Sequence, residues 1–154
     1  DDLSGMRFSI WGLAFKPETD DMRAAPSRTV IKALLESGAT VCAHDPVAMN
    51  VAREFYLKDT IDYGKDEYET LAGADGLIIT TEWLQYRRPD WSVVSERMAR
   101  KIIFDGRNIF DPMRMEALGF EYYSIGRYQV GSIVRRARSD TDDGSSNSSR
   151  SNGG

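Results

Sequence analysis

The run Asp75-Gly76-Leu77-Ile78-Ile79-Thr80-Thr81 constrains this chain more than any other segment. Its apolar residues do not alternate with polar ones, so a strand formed here must be covered on both faces. It is much shorter than the ~20 residues of a membrane-spanning helix. Strands buried on both faces belong to parallel sheets flanked by helices. Lys101-Ile102-Ile103-Phe104-Asp105 repeats the signal. Further strands are expected at residues 7–12, 39–44 and 120–125, with residues 58–64 an ambiguous edge strand.

Helical segments fall between these runs. Val30, Ile31, Leu34 and Leu35 form one apolar stripe, and Gly38 fits the residue after a helix C-terminus. Asp45-Pro46 and Asp111-Pro112 both read as an N-cap followed by proline at the first helical position, the first helix running to about Tyr56 and the second ending at Gly119. Residues 67–72 and 91–100 are the remaining helical stretches. Strands alternating with helices throughout predict an α/β fold, a Rossmann-like, doubly wound parallel sheet in a single domain over residues 1–138. Residues 139–154 carry no apolar side chain to bury and are expected to be a disordered tail. Before them, Arg135-Arg136-Ala137-Arg138 reads as a solvated basic face.

In such a sheet, ligands lie beyond the carboxyl ends of the strands. Three loops leave those ends, at residues 13–25, 82–89 and 106–110. The first carries Lys16 and Arg23 beside a helix N-terminus, an arrangement that suits a phosphorylated ligand or else holds two solvated charges. The third contains Asp105-Gly106-Arg107-Asn108, where a tight turn could aim the Arg107 guanidinium at a phosphate or a base edge, or simply reverse the chain. Trp83 could stack on a base or fill the gap between loop and sheet. Asp45 stands where a dinucleotide fold places its ribose-binding acid, although a helix cap before Pro46 explains it as well. Asp20 and Asp21 form a carboxylate pair or balance Arg23. Gly12 is alone where a dinucleotide fingerprint needs Gly-x-Gly-x-x-Gly, so phosphate contacts would come from side chains.

No catalytic set is legible. His44 is the only histidine and has no nucleophile near it in sequence, and Cys42, the only cysteine, lies inside an apolar strand where a thiol is ordinarily inert. No His, Cys or carboxylate cluster has metal-ligand spacing. The formal charge of -4 argues against a nucleic-acid or anionic-membrane footprint. A single cysteine allows no internal disulfide, and the opening residues carry no signal-peptide pattern, so a cytoplasmic setting is expected. Because the first residue is Asp1, the sequence reads as a piece of a longer protein.

Taken together, Gly12-Leu13-Ala14-Phe15-Lys16-Pro17, Thr19-Asp20-Asp21-Met22-Arg23 and Ala25-Pro26-Ser27 strongly resemble the opening of the C-terminal domain of nucleotide-sugar dehydrogenases. The likeness continues through Ala43-His44-Asp45-Pro46, Ala74-Asp75-Gly76, Thr81-Glu82-Trp83, Phe104-Asp105-Gly106-Arg107-Asn108 and Gly119-Phe120, covering roughly residues 5–127. Bacterial UDP-glucose 6-dehydrogenases are the branch it resembles most. The resemblance implies a domain that holds the UDP part of a UDP-sugar, in an enzyme that oxidises the sugar C6 alcohol to a carboxylate in two NAD-dependent steps. It implies that NAD is bound mainly by an N-terminal domain, that the catalytic cysteine lies upstream of this sequence, and that the full-length enzyme is a homodimer. It assigns Lys16, the Phe15 backbone and Arg107 to the UDP-sugar and Arg23 to NAD, and it gives Cys42 no catalytic role. The sibling activities on GDP-mannose or a UDP-N-acetylhexosamine, and a non-catalytic nucleotide-binding module, are the alternatives.

Overall fold

A computed structural model describes residues 2–124, 133 and 135–137. Six strands, β1 (Arg7–Trp11), β2 (Thr40–His44), β3 (Asp62–Tyr63), β4 (Gly76–Ile79), β5 (Ile102–Asp105) and β6 (Glu121–Ser124), form one sheet in the order β3-β2-β1-β4-β5-β6. Every pairing is parallel. This is the doubly wound order, and the winding reverses between β1 and β4.

Alternate side chains of the central strands feed two cores. Phe8, Ile10, Ile78 and Phe104 pack on one face with Val30, Ile31 and Leu34 of α1 (Pro26–Glu36). Trp11, Leu77, Ile79 and Ile103 pack on the other with Tyr86 of α3 (Leu84–Arg87), Val94 of α4 (Trp91–Arg97) and Met115 of α5 (Pro112–Ala117). The absence of alternation in the central runs is thus the imprint of two covers. Trp11, wholly buried, donates its Nε1–H to the Glu67 carbonyl at 3.0 Å and to Thr70 Oγ1 at 3.1 Å, which ties the single turn Glu69–Leu71 to the sheet.

Several boundaries differ from expectation for local reasons. Helix α1 starts at Pro26, earlier than the stripe suggests, because proline is well placed at a first helical position. Asp45-Pro46 opens a turn, and regular helix starts only at α2 (Met49–Val51), continuing as a wide π-helical turn over Ala52–Tyr56. The loop expected at residues 82–89 contains the short helix α3. Helix α4 stops at Arg97, after an N-cap in which Asp90 accepts from Ser92 N and Val93 N. Ala137 is buried in the α1-side core and the Arg136 guanidinium lies 4.5 Å from the centre of the Tyr123 ring, so the expected solvated basic face is partly a packing element. The expected tail, residues 139–154, lies outside the described residues.

The carboxyl end of β5 turns around one buried carboxylate. Asp105 Oδ1 accepts from Arg107 N at 2.9 Å, and Oδ2 accepts from Ile109 N, Phe110 N and the Tyr122 hydroxyl at 2.8, 3.1 and 2.7 Å. An amide cannot accept all four. The Asp105→Asn variant is therefore expected to lose at least about 2 kcal/mol of stability, because buried donors are left unmatched. Urea unfolding measures this, and a change within about 0.5 kcal/mol would place the turn's stability elsewhere.

Candidate functional site

The loop after β1 crosses the point where the winding reverses. Its root is buried, and every backbone polar group of Gly12–Ala14 has a partner. Gly12 N–H donates to the His44 carbonyl at 2.8 Å, and the Gly12 carbonyl accepts from the Thr80 hydroxyl. Leu13 and Ala14 donate to Asp45 Oδ2 at 2.8 and 3.1 Å, while their carbonyls accept from Ser27 Oγ and Thr81 Oγ1 at 2.6 and 2.7 Å. Gly12 has φ 105°, and a Cβ there would lie 2.3 Å from Thr81 Oγ1. The close passage of the chain beneath Thr81 therefore requires glycine twice over.

Asp45 is fully buried, and both its oxygens are engaged, since Oδ1 also accepts from Val47 N and Ala48 N at 2.9 Å. It caps the following turn and clamps the neighbouring loop, which leaves it unavailable to a ribose. His44 and Tyr86 complete the floor. The Tyr86 hydroxyl donates to the His44 carbonyl at 3.0 Å, so its contact with His44 Nδ1 at 2.8 Å has the imidazole as donor. Burial pushes the His44 imidazole down and the Tyr86 hydroxyl up, so both are neutral at physiological pH. Burial likewise raises the Cys42 thiol. These groups are packing elements.

From that floor the loop rises into solvent. Phe15 and Lys16 are exposed, with Lys16 Nζ 5.3 Å from the Phe15 ring centre. Phe15 N–H donates to the Asp21 carbonyl at 3.1 Å, folding the loop back on itself. Asp21 then grips Arg23 through both carboxylate oxygens, at 3.1 Å to Nε and 2.8 Å to Nη2. The Arg23 guanidinium holds the Asp21 carboxyl down at about 2. The Arg23 side chain remains 82% exposed.

Arg107 reaches the same region from the loop after β5. Its Nε pairs with Glu82 Oε2, and the Glu82 carboxyl is held below its ordinary value chiefly by that hydrogen bond. The covalent and hydrogen-bonded path is short: Lys16 follows Phe15 and Ala14, Ala14 is bound by Thr81, and Thr81 precedes Glu82, which holds Arg107. The carboxyl ends of β1, β4 and β5 thereby bring Lys16, Glu82 and Arg107 to one rim. Trp83, next in sequence, is half-buried against the α3–α5 core, yet its indole N–H has no acceptor among the described residues. Glu82 as the partner of Arg107 and the clamps from Thr80, Thr81 and Ser27 escaped sequence reasoning. Hydroxyl side chains at strand ends carry no distinctive spacing, though a second buried acid before Gly106, matching Asp45 before Pro46, was a usable hint. Among the described residues no group of His, Cys, Asp and Glu could hold a metal ion.

Residues 9–112 match the UDP binding domain of the UDP-glucose/GDP-mannose dehydrogenase family. The chain belongs to this family. It is 42% identical over 131 residues to the UDP-glucose 6-dehydrogenase of Pseudomonas aeruginosa, covering 82% of this chain and 29% of that protein. The corresponding enzyme of Rhizobium meliloti is 40% identical over 126 residues, covering 82% and 28%. Among solved structures, a UDP-glucose dehydrogenase from Pyrobaculum islandicum superposes with TM-score 0.67 at 34% identity, covering 82% of this chain and 26% of that one. An NDP-N-acetyl-D-galactosaminuronic acid dehydrogenase from Methanosarcina mazei superposes with TM-score 0.69 at 28% identity, covering 80% and 25%. The chain thus spans less than a third of the length of these family members, and it corresponds to their UDP-binding, Rossmann-like unit.

Two outcomes test this geometry. Gly12→Ala should destabilise the domain by about 1–3 kcal/mol from backbone strain alone, with steric overlap at Thr81 adding to it. Thermal unfolding of the variant checks this, and an unchanged midpoint contradicts it. Glu82 should titrate below its ordinary value of 4.5. Its ionised form is favoured in the folded state, so its contribution to stability is complete above 4.5 and fades as pH falls through the lowered value. Carboxyl NMR titration should show the Glu82 midpoint rising in Arg107→Ala.

Proposed function

We propose that this chain is the UDP-holding domain of an NAD-dependent UDP-glucose 6-dehydrogenase, a cytoplasmic homodimer in its full-length form, which oxidises UDP-glucose to UDP-glucuronate in two steps. The observation that carries the reading is the rim itself: an exposed lysine on a loop with a fully hydrogen-bonded root, at the same end of the sheet as an arginine paired with a carboxylate, in a domain whose family is UDP-binding. Lys16 supplies a point charge for the diphosphate. Arg107 supplies a planar guanidinium of a kind suited to phosphate or ribose. Because the Phe15 N–H is engaged by Asp21, the backbone contact at Phe15 falls to its carbonyl.

No residue of this chain is assigned to bond making or breaking. NAD, when bound, would supply the hydride acceptor for oxidation at the sugar C6. The donor set here fits a peripheral contact to it: Arg23 keeps part of its guanidinium free of Asp21 and stands in solvent, while the chain has no glycine-rich fingerprint with which to hold the dinucleotide itself. The body of the cofactor is therefore assigned to another part of the protein.

Calorimetric titration with UDP and GDP tests the reading. UDP should bind weakly and in preference to GDP. Lys16→Ala and Arg107→Ala should each reduce UDP affinity roughly 10- to 150-fold, the range of ~1.5–3 kcal/mol per charged hydrogen bond, without unfolding the domain. Arg23→Ala should leave UDP binding almost unchanged. Equal binding by the wild type and both rim variants would make Lys16 and Arg107 ordinary surface charges. A preference for GDP would point to the GDP-mannose branch.

A further inference from the structure

Beyond the rim, a cleft of about 460 Å³ opens between the end of α3 and the start of α5. Arg87, Arg88 and Arg114 line it, with Trp91, Ile109 and Asp111. None of Lys16, Glu82 or Arg107 does. Three arginines lining one cavity are notable in a chain of formal charge -4, because like charges repel unless something compensates them.

The neighbouring carboxylates form no ion pair with them among the described residues. Asp90 Oδ1 is engaged as the cap of α4, accepting from Ser92 N and Oγ and from Val93 N. Asp111 Oδ1 accepts from Met113 N at the start of α5. Arg87 adds to the field that keeps Glu82 ionised, but Glu82 is paired with Arg107. Arg87, Arg88 and Arg114 make no ion pair among the described residues, and all three are exposed. One carboxylate thus lines the cleft against three cations. Its volume lies within the ~300–1,000 Å³ usual for small-molecule pockets. Its remaining wall is apolar, with Trp91 braced edge-on against Phe110 at 4.9 Å and Phe120 at 5.3 Å between ring centres.

We propose that this cleft is a second anion site that takes a phosphorylated small molecule, its phosphate held by Arg87, Arg88 and Arg114 and its carbon part against Trp91 and Ile109. Planar guanidiniums suit a phosphate's oxygens, and three of them meet the two negative charges of a phosphate monoester with the Asp111 charge included. The cleft shares no lining residue with the rim assigned to UDP, although Arg87 contributes to the field at Glu82, and the proposal needs no part of the UDP assignment.

The test uses the 154-residue chain carrying Lys16→Ala and Arg107→Ala, in which the rim is disabled. Inorganic phosphate and phenyl phosphate are titrated at constant ionic strength, by calorimetry and by NMR of the arginine Nε–H signals. Both should bind, with phenyl phosphate tighter, and with the signals of Arg87, Arg88 and Arg114 shifting. Arg87→Gln, Arg88→Gln and Arg114→Gln are exposed changes that should spare the fold and each weaken binding by about 10-fold or more. The site would be overturned by the absence of binding and of arginine shifts up to roughly 10 mM, an affinity that is already negligible. Binding indifferent to the three substitutions would overturn it too. Equal affinity for the two phosphates would overturn the apolar wall's role, and tighter binding of a polyglutamate peptide would overturn the assignment to a small phosphorylated ligand. UDP affinity of the otherwise wild-type chain should be unaffected by Arg88→Gln and Arg114→Gln, neither of which acts on Glu82, so failure here and failure of the UDP reading are separable.

Discussion

Two buried carboxylates with no cationic partner among the described residues organise the working end of this domain. Asp45 and Asp105 follow or end strands on opposite sides of the sheet centre, both are fully buried, and each collects four hydrogen-bond donors. Burial of a carboxyl group is tolerated only where such donors replace water. The donors are almost all backbone N–H groups, so each acid fixes the path of a loop, not merely a side chain. Asp45 sets the root of the loop bearing Lys16. Asp105 sets the turn bearing Arg107.

Rigidity at the root and exposure at the tip then follow together. Gly12, Leu13 and Ala14 are buried and fully hydrogen-bonded, whereas Phe15, Lys16 and Arg23 stand in solvent. Hydroxyls from Ser27, Thr80 and Thr81 take the carbonyls of the root, so no water is required there. A ligand meeting these cations need not order the backbone that carries them, which lowers the entropic cost of binding. Glu82 performs the same service for Arg107.

Much of this was legible in the residues. The uniform apolar runs at 77–79 and 102–104 announced a doubly covered parallel sheet, and all six strands fall inside the segments that carried the signal. Asp111-Pro112 and Gly38 mark helix ends because their effects are local. What stayed hidden depends on contacts distant in sequence. Nothing near Asp45 indicates that Leu13 and Ala14 will arrive above it, and nothing near Glu82 names Arg107. Asp45-Pro46 misled for a related reason: the carboxylate serves two segments at once, and the turn it caps delays the helix to Met49. The family motifs located the rim residues, whereas the arginines of the α3–α5 cleft are scattered single charges that only the fold assembles.

The strand order has a consequence for how the chain comes together as it is made. β1 is the first strand in sequence and lies at the centre of the sheet, with β2 on one side and β4 on the other. Phe8 must await Gly76, its partner across the second edge, so during synthesis one side of β1 stays open long after the other has closed. Parallel pairings of such long sequence separation close late and leave apolar edges uncovered in the meantime. The loop root also closes only then, because Thr80 and Thr81 follow β4. A nascent chain stalled before residue 76 would therefore lack the strand that covers the second edge of β1.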